Sequence, residues 1–382
     1  MYMDEIDLGK LAQDCLDAIQ KEIKDLKKLN VIIAGKTGVG KSTLINAMFR
    51  ENLTETGIGR PVTEHMKRLE KPDFPLAIYD TRGFELSGQV QKQVTEEIIK
   101  TIEDGALSKE KEDDIHCVWY CVSGASDRLE PEEVSFIESL TKEASRTRVP
   151  VIIVLTKSYS KTESKKLRDY ILDQNLDVVQ VVPVLAQDYP IDEDYTARAY
   201  GLDTLLSVMA SSLPEELQKT LQYVQKASLK AKIDAAQKIV AGFVTMAAGE
   251  GAAPVPFTDA AMLIPTQVSM IASITAVFGI DVSKSVIIGF VSSVLGTSAA
   301  TIGGKAIVSN LLKLIPGAGS LAGGAISAAT AGLLTAAIGE AYIQIMIAVF
   351  NGELSEEDLS TEVGKRKIAE IVSSTMKGAS AV

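Results

Sequence analysis

Hydrophobic residues recur at three- and four-residue spacing along the N-terminal segment. Ile6, Leu8, Leu11, Cys15, Leu16, Ile19, Ile23 and Leu26 share one face, with lysines and acids between them, so one amphipathic helix is predicted from about Asp4 to Leu29. From Leu29 to about Pro214 short apolar runs alternate with amphipathic ones. The runs predict strands at Val31–Ala34, Lys67–Glu70, Leu76–Asp80, Ile115–Val122, Val149–Thr156 and Val178–Val184. Between them, helices are predicted at Lys41–Arg50, Val90–Asp104, Pro131–Ser145, Thr162–Asp173 and Leu202–Ser212. Pro131 followed by Glu132 and Glu133 suits a first helical turn, where proline needs no partner and acids favour the positive end. This alternation implies an α/β fold with a mostly parallel, six-stranded sheet covered on both faces.

After Pro214 the pattern changes. Glu215 to about Ala236 reads as an ordinary charged helix, and from there to Phe350 the chain is dominated by Ala, Gly, Ser, Ile and Val. Ala260–Ile280, Val286–Gly304 and Leu314–Gly339 carry no charged residue, whereas Glu356–Lys377 returns to a charged amphipathic helix. Three parts follow: an N-terminal helix at 1–29, an α/β domain at 30–213 and an all-α, Ala/Gly-rich domain at 214–382. Each uncharged span reaches the roughly 18 residues of a membrane crossing. Pro265, Gln267 and many Ser/Thr interrupt the first, however, and the third is mostly Gly, Ala and Ser. The flanks also lack the Lys/Arg clusters and aromatic belts of true spans. Gly319-Ser-Leu-Ala-Gly323 lets helices approach closely, in a membrane or in a tight soluble bundle. A compact helical domain apposed to a membrane outweighs integral insertion, and both readings stay open.

The formal charge of −11 and pI near 5.0 argue against direct nucleic-acid binding, which usually needs a basic surface. Cys117 and Cys121 lie in an apolar strand-like run without further metal ligands nearby, and with Cys15 they read as reduced core residues of a cytosolic protein. The acidic N-terminus, Met-Tyr-Met-Asp-Glu-Ile-Asp, lacks a secretory pattern.

Candidate chemistry concentrates behind the first strand. Gly35-Lys36-Thr37-Gly38-Val39-Gly40-Lys41-Ser42 matches GxxxxGK[ST] in full and precedes a predicted helix opening with Thr43. Strand, glycine loop and helix is the setting in which this motif cradles the phosphates of a nucleoside triphosphate. Lys41 would reach the β- and γ-phosphates and the Ser42 hydroxyl would ligate Mg²⁺. After the Leu76–Tyr79 strand comes Asp80-Thr-Arg-Gly83, where Asp80 would hold the Mg²⁺ shell and the Gly83 amide would meet the γ-phosphate. Between them the Gly- and Pro-bearing stretch Thr56–His65 reads as a movable loop. It offers Thr63 as the residue that touches Mg²⁺ and senses the γ-phosphate. His65 and His116 are isolated and receive no catalytic role.

By Thr156-Lys157-Ser158-Tyr159 and Pro183-Val-Leu-Ala186, the order of motifs resembles the translation-factor-type, Era-like GTPases of the Ras superfamily. The resemblance covers about Leu29 to Pro214 and implies a Ras-like P-loop G domain that binds GTP/GDP with Mg²⁺ and hydrolyses GTP as a switch. By the same resemblance Thr156 and Lys157 belong to the base-reading run, and the Ala186 amide meets the guanine oxygen. Tyr159, however, stands where the family carries an aspartate, and a phenol cannot accept two hydrogen bonds as a carboxylate does. Phe84 stands where Ras-like switches place a water-orienting glutamine, and Gly38 replaces the asparagine of potassium-activated relatives. Slow intrinsic turnover is therefore expected. Gly251–Ile271 is similar to a helical domain of unknown function fused behind bacterial Era-like GTPases, and the overall arrangement resembles the immunity-related GTPases. These resemblances imply a guanine nucleotide, a homodimer through the G domain and a membrane surface as partners. A nucleotide-dependent scaffold with little hydrolysis and an RNA- or ribosome-associated factor are the alternatives.

Overall fold

The computed structural model describes residues 8–56, 58–81, 88–108, 111–126, 128–250, 255–256, 264–295, 325–326, 328–355 and 361–378. The chain forms two compact units, Leu26–Ser228 and a second one in which the chain up to Asp25 joins Leu229–Val382.

The first unit opens on β1 (Leu29–Gly35), all of whose residues are buried. Then come α2 (Lys41–Met48), α3 (Leu53–Thr56), β2 (Ile58–Pro61), β3 (Met66–Glu70), β4 (Leu76–Thr81) and α4 (Gly88–Leu107), where α1 (Leu8–Lys24) belongs to the other unit. It continues with β5 (Cys117–Ser123), α5 (Pro131–Thr147), β6 (Val151–Thr156), α6 (Lys161–Leu172), β7 (Gln180–Pro183) and a small hairpin of β8 (Tyr189–Pro190) and β9 (Thr196–Ala197). It closes with α7 (Leu202–Ser212) and α8 (Gln218–Val224). The sheet order is β2-β3-β4-β1-β5-β6-β7. β4, β1, β5, β6 and β7 run parallel, while β3 is antiparallel to both β2 and β4. Side chains alternate faces along β5, as a pleated strand requires. Val118, Tyr120 and Val122 join the core under α4 and α5, whereas Trp119 stacks on Phe49 at the end of α2 with centroids 5.8 Å apart.

Two expectations need correction. The sheet has seven strands rather than six, because β2 forms inside the stretch expected to be a loop. Gly59 and Pro61 hide it in the sequence, yet proline is admissible on an edge strand, where no donor is missed. The expected helix from Glu215 to Ala236 is broken. A short 3₁₀ turn at Glu215–Leu217 leads into α8, and α9 (Leu229–Glu250) starts afresh. At the break the backbone turns to the end of α2: Lys226 N–H donates to Met48 O at 2.9 Å and Arg50 N–H to Val224 O at 2.9 Å. The Gln225 side chain fills in for the helix, donating to Ser228 O and accepting from Ser228 N–H.

The second unit consists of α1, α9, α10 (Ile264–Phe278), α11 (Lys284–Leu295), α12 (Ala328–Phe350) and α13 (Glu362–Gly378), with a two-stranded pair β10 (Val255–Pro256) and β11 (Ala325–Ile326). The apolar stripe of α1 is covered from within the chain: Ala12, Cys15 and Ile19 share one core with Met270, Ile274, Phe290 and Tyr342. Small residues explain the composition of this unit. A methyl group at Gly339 of α12 would meet Val240 of α9 at 2.6 Å, so the two helices touch where a larger residue would hold them apart. Within the core the Tyr342 hydroxyl meets Thr275 Oγ1 at 2.7 Å, and Thr275 Oγ1 donates to Ile271 O. Lys232, fully buried, donates to Val277 O at 2.9 Å at the C-terminal end of α10, where the helix dipole favours a cation. Among the described residues one helix, Ala331–Phe350, has the length and composition to cross a membrane, and most of it is buried inside the fold. Gly319–Gly323 and most of Gly251–Leu263 lie outside the described residues. All three cysteines are free and buried.

Replacing Tyr342 by Phe removes one buried hydrogen bond and leaves the packing in place. The expected loss is about 1 kcal/mol of unfolding free energy, measured by urea denaturation followed through helical signal.

Candidate functional site

The end of β1 lies so close to β5 that a Cβ at Gly35 would sit 2.4 Å from Cys121 O. Only glycine passes this point, and the chain then leaves the sheet. Gly38 and Gly40 follow with φ of 73° and 105°, values that glycine adopts without strain. Gly40 is the N-cap of α2 and gives it no side-chain cap. The first amides of α2 therefore carry no side-chain acceptor, and helix geometry denies them a backbone one. An uncapped helix start behind a glycine loop is a ready anion site.

Lys41 folds back over this loop. Its Nζ donates to Gly35 O at 2.8 Å and Lys36 O at 3.2 Å, and the residue is 9% exposed. Burial lowers its pKa, with Asp80 and the Cys121 thiol acting in the opposite direction. Asp80 is the penultimate residue of the adjacent strand β4. Burial pushes its carboxyl above the usual range, with Lys41 and Lys67 pulling it back. Its Oδ1 is buried and has no hydrogen-bond partner among the described residues. A buried carboxylate oxygen without a donor, beside the loop lysine, fits a hydrated divalent cation. Ser42 and Thr43 are exposed at the α2 start, as are Thr37 and Gly38, while Val39 is buried.

Three tertiary contacts, none visible in the local sequence, hold this loop and its neighbours. Val39 O accepts from Thr156 Oγ1 at 2.5 Å, which fastens the loop to the end of β6. Thr156 is itself buried and also donates to Val122 O, so its hydroxyl serves the framework. Lys36 Nζ meets Glu133 Oε2 at 2.7 Å, and the Tyr120 hydroxyl donates to the other oxygen at 3.1 Å. Glu133, 4% exposed at the start of α5, thus anchors Lys36, the loop's first lysine. Thr63 lies beyond β2, and its hydroxyl donates to Glu97 Oε2 on α4. His65 N–H joins the same oxygen at 3.1 Å, and its Nδ1 lies 2.9 Å from Oε1. Glu97 is partly buried, which pushes its carboxyl up, yet the Thr63 and His65 hydrogen bonds outweigh this and hold it below the usual range. His116 accepts from Asn30 N–H at 3.0 Å and braces β1.

At the end of β6, Lys157 is exposed with a positive φ of 53°. Its side chain runs past Gly40, where an added Cβ would lie 3.8 Å from Lys157 Cε. Ala186, beyond β7, is partly exposed. The structure therefore brings Lys36, Lys41, Asp80, Thr156 and Lys157 together around one loop, with Ala186 at the end of the neighbouring strand. It places Thr63 on Glu97 in the state described. Arg82, Gly83 and Phe84 lie outside the described residues.

A septin family model matches residues 26–211, and a model of a domain of unknown function, DUF697, matches residues 208–377. Septin-1 of Drosophila melanogaster is 24% identical over 199 residues, covering 46% of this chain and 54% of that protein. Septin-1 of Homo sapiens is 26% identical over 204 residues, covering 46% and 53%. The chain spans about half the length of the curated relatives it matches. Among solved structures, Cdc11 of Saccharomyces cerevisiae is 21% identical with a TM-score of 0.28, covering 48% of this chain and 75% of that one. Toc33 of Arabidopsis thaliana in complex with Mg²⁺ and GMPPNP is 18% identical with a TM-score of 0.32, covering 52% and 91%. The G-domain likeness is thus of septin type rather than specifically Era-like.

The Glu97 clamp carries a sign. A carboxyl held below its ordinary pKa keeps Thr63 in place at neutral pH, and the hold is lost as pH falls through that depressed value, below the ordinary carboxylate range. Replacing Glu97 by Gln removes the charge at all pH values. Amide exchange across residues 61–66 at neutral pH is expected to rise by about tenfold, since charge-assisted bonds contribute about 1.5–3 kcal/mol; mass-spectrometric exchange measures it.

Proposed function

We propose that this chain is a guanine-nucleotide switch that binds GTP with Mg²⁺, hydrolyses it slowly and passes the state of its G domain to the helical unit. One observation carries the reading: Lys41 lies folded onto its own loop's carbonyls beside the unpartnered Asp80 oxygen, behind an uncapped helix start. That arrangement holds a cation donor and free backbone donors where a triphosphate would supply acceptors, and a carboxylate acceptor where its hydrated Mg²⁺ would supply the partner.

The residues divide the work. Backbone amides of Gly35, Lys36, Thr37, Gly38, Val39, Gly40, Lys41, Ser42 and Thr43 form the cradle, and the Lys41 ammonium neutralises phosphate charge. Ser42, Thr63 and Asp80 are the oxygen donors for Mg²⁺. Bound there, the ion would offset charge on the phosphate oxygens. Thr63 must leave Glu97 to join that set, so ordering of residues 61–66 is tied to nucleotide state. Gly83 follows Asp80 as the amide donor to the terminal phosphate. Lys157 and the Ala186 amide address the base.

The phenyl ring of Phe84 offers no hydrogen bond to water, and Thr63 is already held by Glu97. Both features favour slow turnover, and a nucleotide-dependent scaffold with little hydrolysis is the second reading. For the helical unit, the Ala/Gly-rich apolar composition motivates an output at a membrane surface. Self-association through the G domain is the other route by which a nucleotide-dependent surface is read. The charge of −11 weighs against RNA as the partner.

Native protein is expected to bind GTP in the presence of Mg²⁺, and Lys41→Ala to lose most of that affinity by titration calorimetry. Turnover of the isolated protein is expected below roughly 1 s⁻¹ in a phosphate-release assay; a faster rate would refute the slow-switch reading. In flotation with vesicles, more protein should float with GTP than with GDP. Equal flotation, or none, would remove the membrane output while leaving the nucleotide site untouched.

A further inference from the structure

The base end of the site departs from a carboxylate-based design in a specific way. Lys157, in its left-handed conformation, turns the chain so that Ser158 points inward, fully buried. Ser158 Oγ donates to Leu155 O at 2.7 Å and Ser158 N–H to Val184 O at 3.2 Å. Tyr159 is thereby turned outward, partly exposed, at a fixed place beyond β6. A second loop brings Tyr189 against it, with ring centroids 4.4 Å apart and planes inclined by 41°. Tyr189 is held independently by the β8–β9 pairing and by Asp188, which accepts from Ala199 N–H at 2.8 Å and from Arg198 at 2.6 Å.

Asp188 is the only carboxylate in the two loops 156–160 and 185–189, and both of its oxygens already have these donors. Burial and the neighbouring Tyr189 raise the Tyr159 phenol above its ordinary pKa, so position 159 stays neutral. With Asp188 turned to Ala199 and Arg198, the two loops offer no other negative acceptor for the ring N–H and 2-amino group of guanine. The Ala186 N–H, by contrast, has no hydrogen-bond acceptor among the described residues and remains available to a 6-oxo group. Adenine would oppose that donor with another donor.

We propose that Tyr159, backed by Tyr189, is a stacking platform on whose outer face the base lies, and that this site selects 6-oxopurines through the Ala186 amide without reading the 2-amino group. The 4.4 Å separation leaves no gap for a base between the rings, so the pair acts as one surface. Stacking on an aromatic face tolerates any purine, and selectivity rests on the single amide. This proposal stands on the nucleotide reading above, because a platform beside Lys157 and Gly40 has a ligand only if the loop holds the phosphates.

Equilibrium titration of the full chain with GTP, ITP and ATP, each with Mg²⁺, tests it. GTP and ITP are expected to bind within about threefold of each other. ATP is expected to bind at least about tenfold more weakly, the scale of one unpaired buried donor. Tyr159→Ala should lower GTP and ITP affinity alike by about tenfold, and Tyr159→Phe should recover what the alanine variant loses. Tyr159→Asp should introduce a preference for GTP over ITP of more than about tenfold, by supplying the missing charged acceptor. A native preference for GTP over ITP above tenfold, or full affinity in Tyr159→Ala, would overturn the platform. Lys41→Ala separates the two levels. If it abolishes binding while native protein prefers GTP over ITP, the phosphate site stands and the platform falls; if it binds like native protein, the nucleotide reading itself falls.

Discussion

The close passage of β1 past β5 governs this G domain. At Gly35 there is no room for a side chain beside Cys121 O, so the backbone must leave the sheet there and nowhere else. The loop that follows is then tied on three sides. Its middle is held by Thr156 from β6, its first lysine by Glu133 from α5, and its second lysine by its own carbonyls. Each tie brings one chemical group to the same place. The Thr156 bond brings Lys157 alongside, Glu133 holds a second ammonium, and Lys41 lies against Asp80. Weakening the passage would loosen all of them together, because every tie is measured from the point where the strand ends.

Electrostatic imbalance is concentrated here. Burial works against the charged forms of both Lys41 and Asp80, and each is only partly compensated by the other. Several buried polar groups of the framework do find partners. Lys232 lies on a helix end, Tyr342 reaches Thr275, and Glu133 receives both Lys36 and Tyr120. The orphaned oxygen at Asp80 lies beside the loop lysine, where a bound cation would complete it.

How much of this could be read in the chain depends on distance along it. The loop and its flanking strand and helix were legible because eight consecutive residues carry the whole pattern. Asp80 was picked out by a short motif behind an apolar run, and Lys157 and Ala186 by the resemblance to a GTPase family. Glu97, Glu133 and Tyr189 were not legible, since each meets its partner only through the fold and none sits in a distinctive local pattern. Edge strand β2 was obscured by Gly59 and Pro61, whose intrinsic preferences oppose strand formation although the sheet edge tolerates them. The break after Val224 was hidden for the converse reason. The segment is helical by composition, but its backbone finds better partners at the end of α2.

The grouping of α1 with Leu229–Val382 has a consequence in time as well as in space. Translation delivers α1 first and its covering helices only after the whole G domain has been made. At roughly 5–20 residues per second, Ala12, Cys15 and Ile19 wait about 13 to 55 seconds for α10 and α11 to be made. The G domain can fold within that interval from its own contacts, while α1 must stay unpaired without aggregating. The lysines and acids between its apolar positions keep the waiting helix soluble. Synthesis thus imposes an order in which the α/β unit can exist before the helical unit is complete.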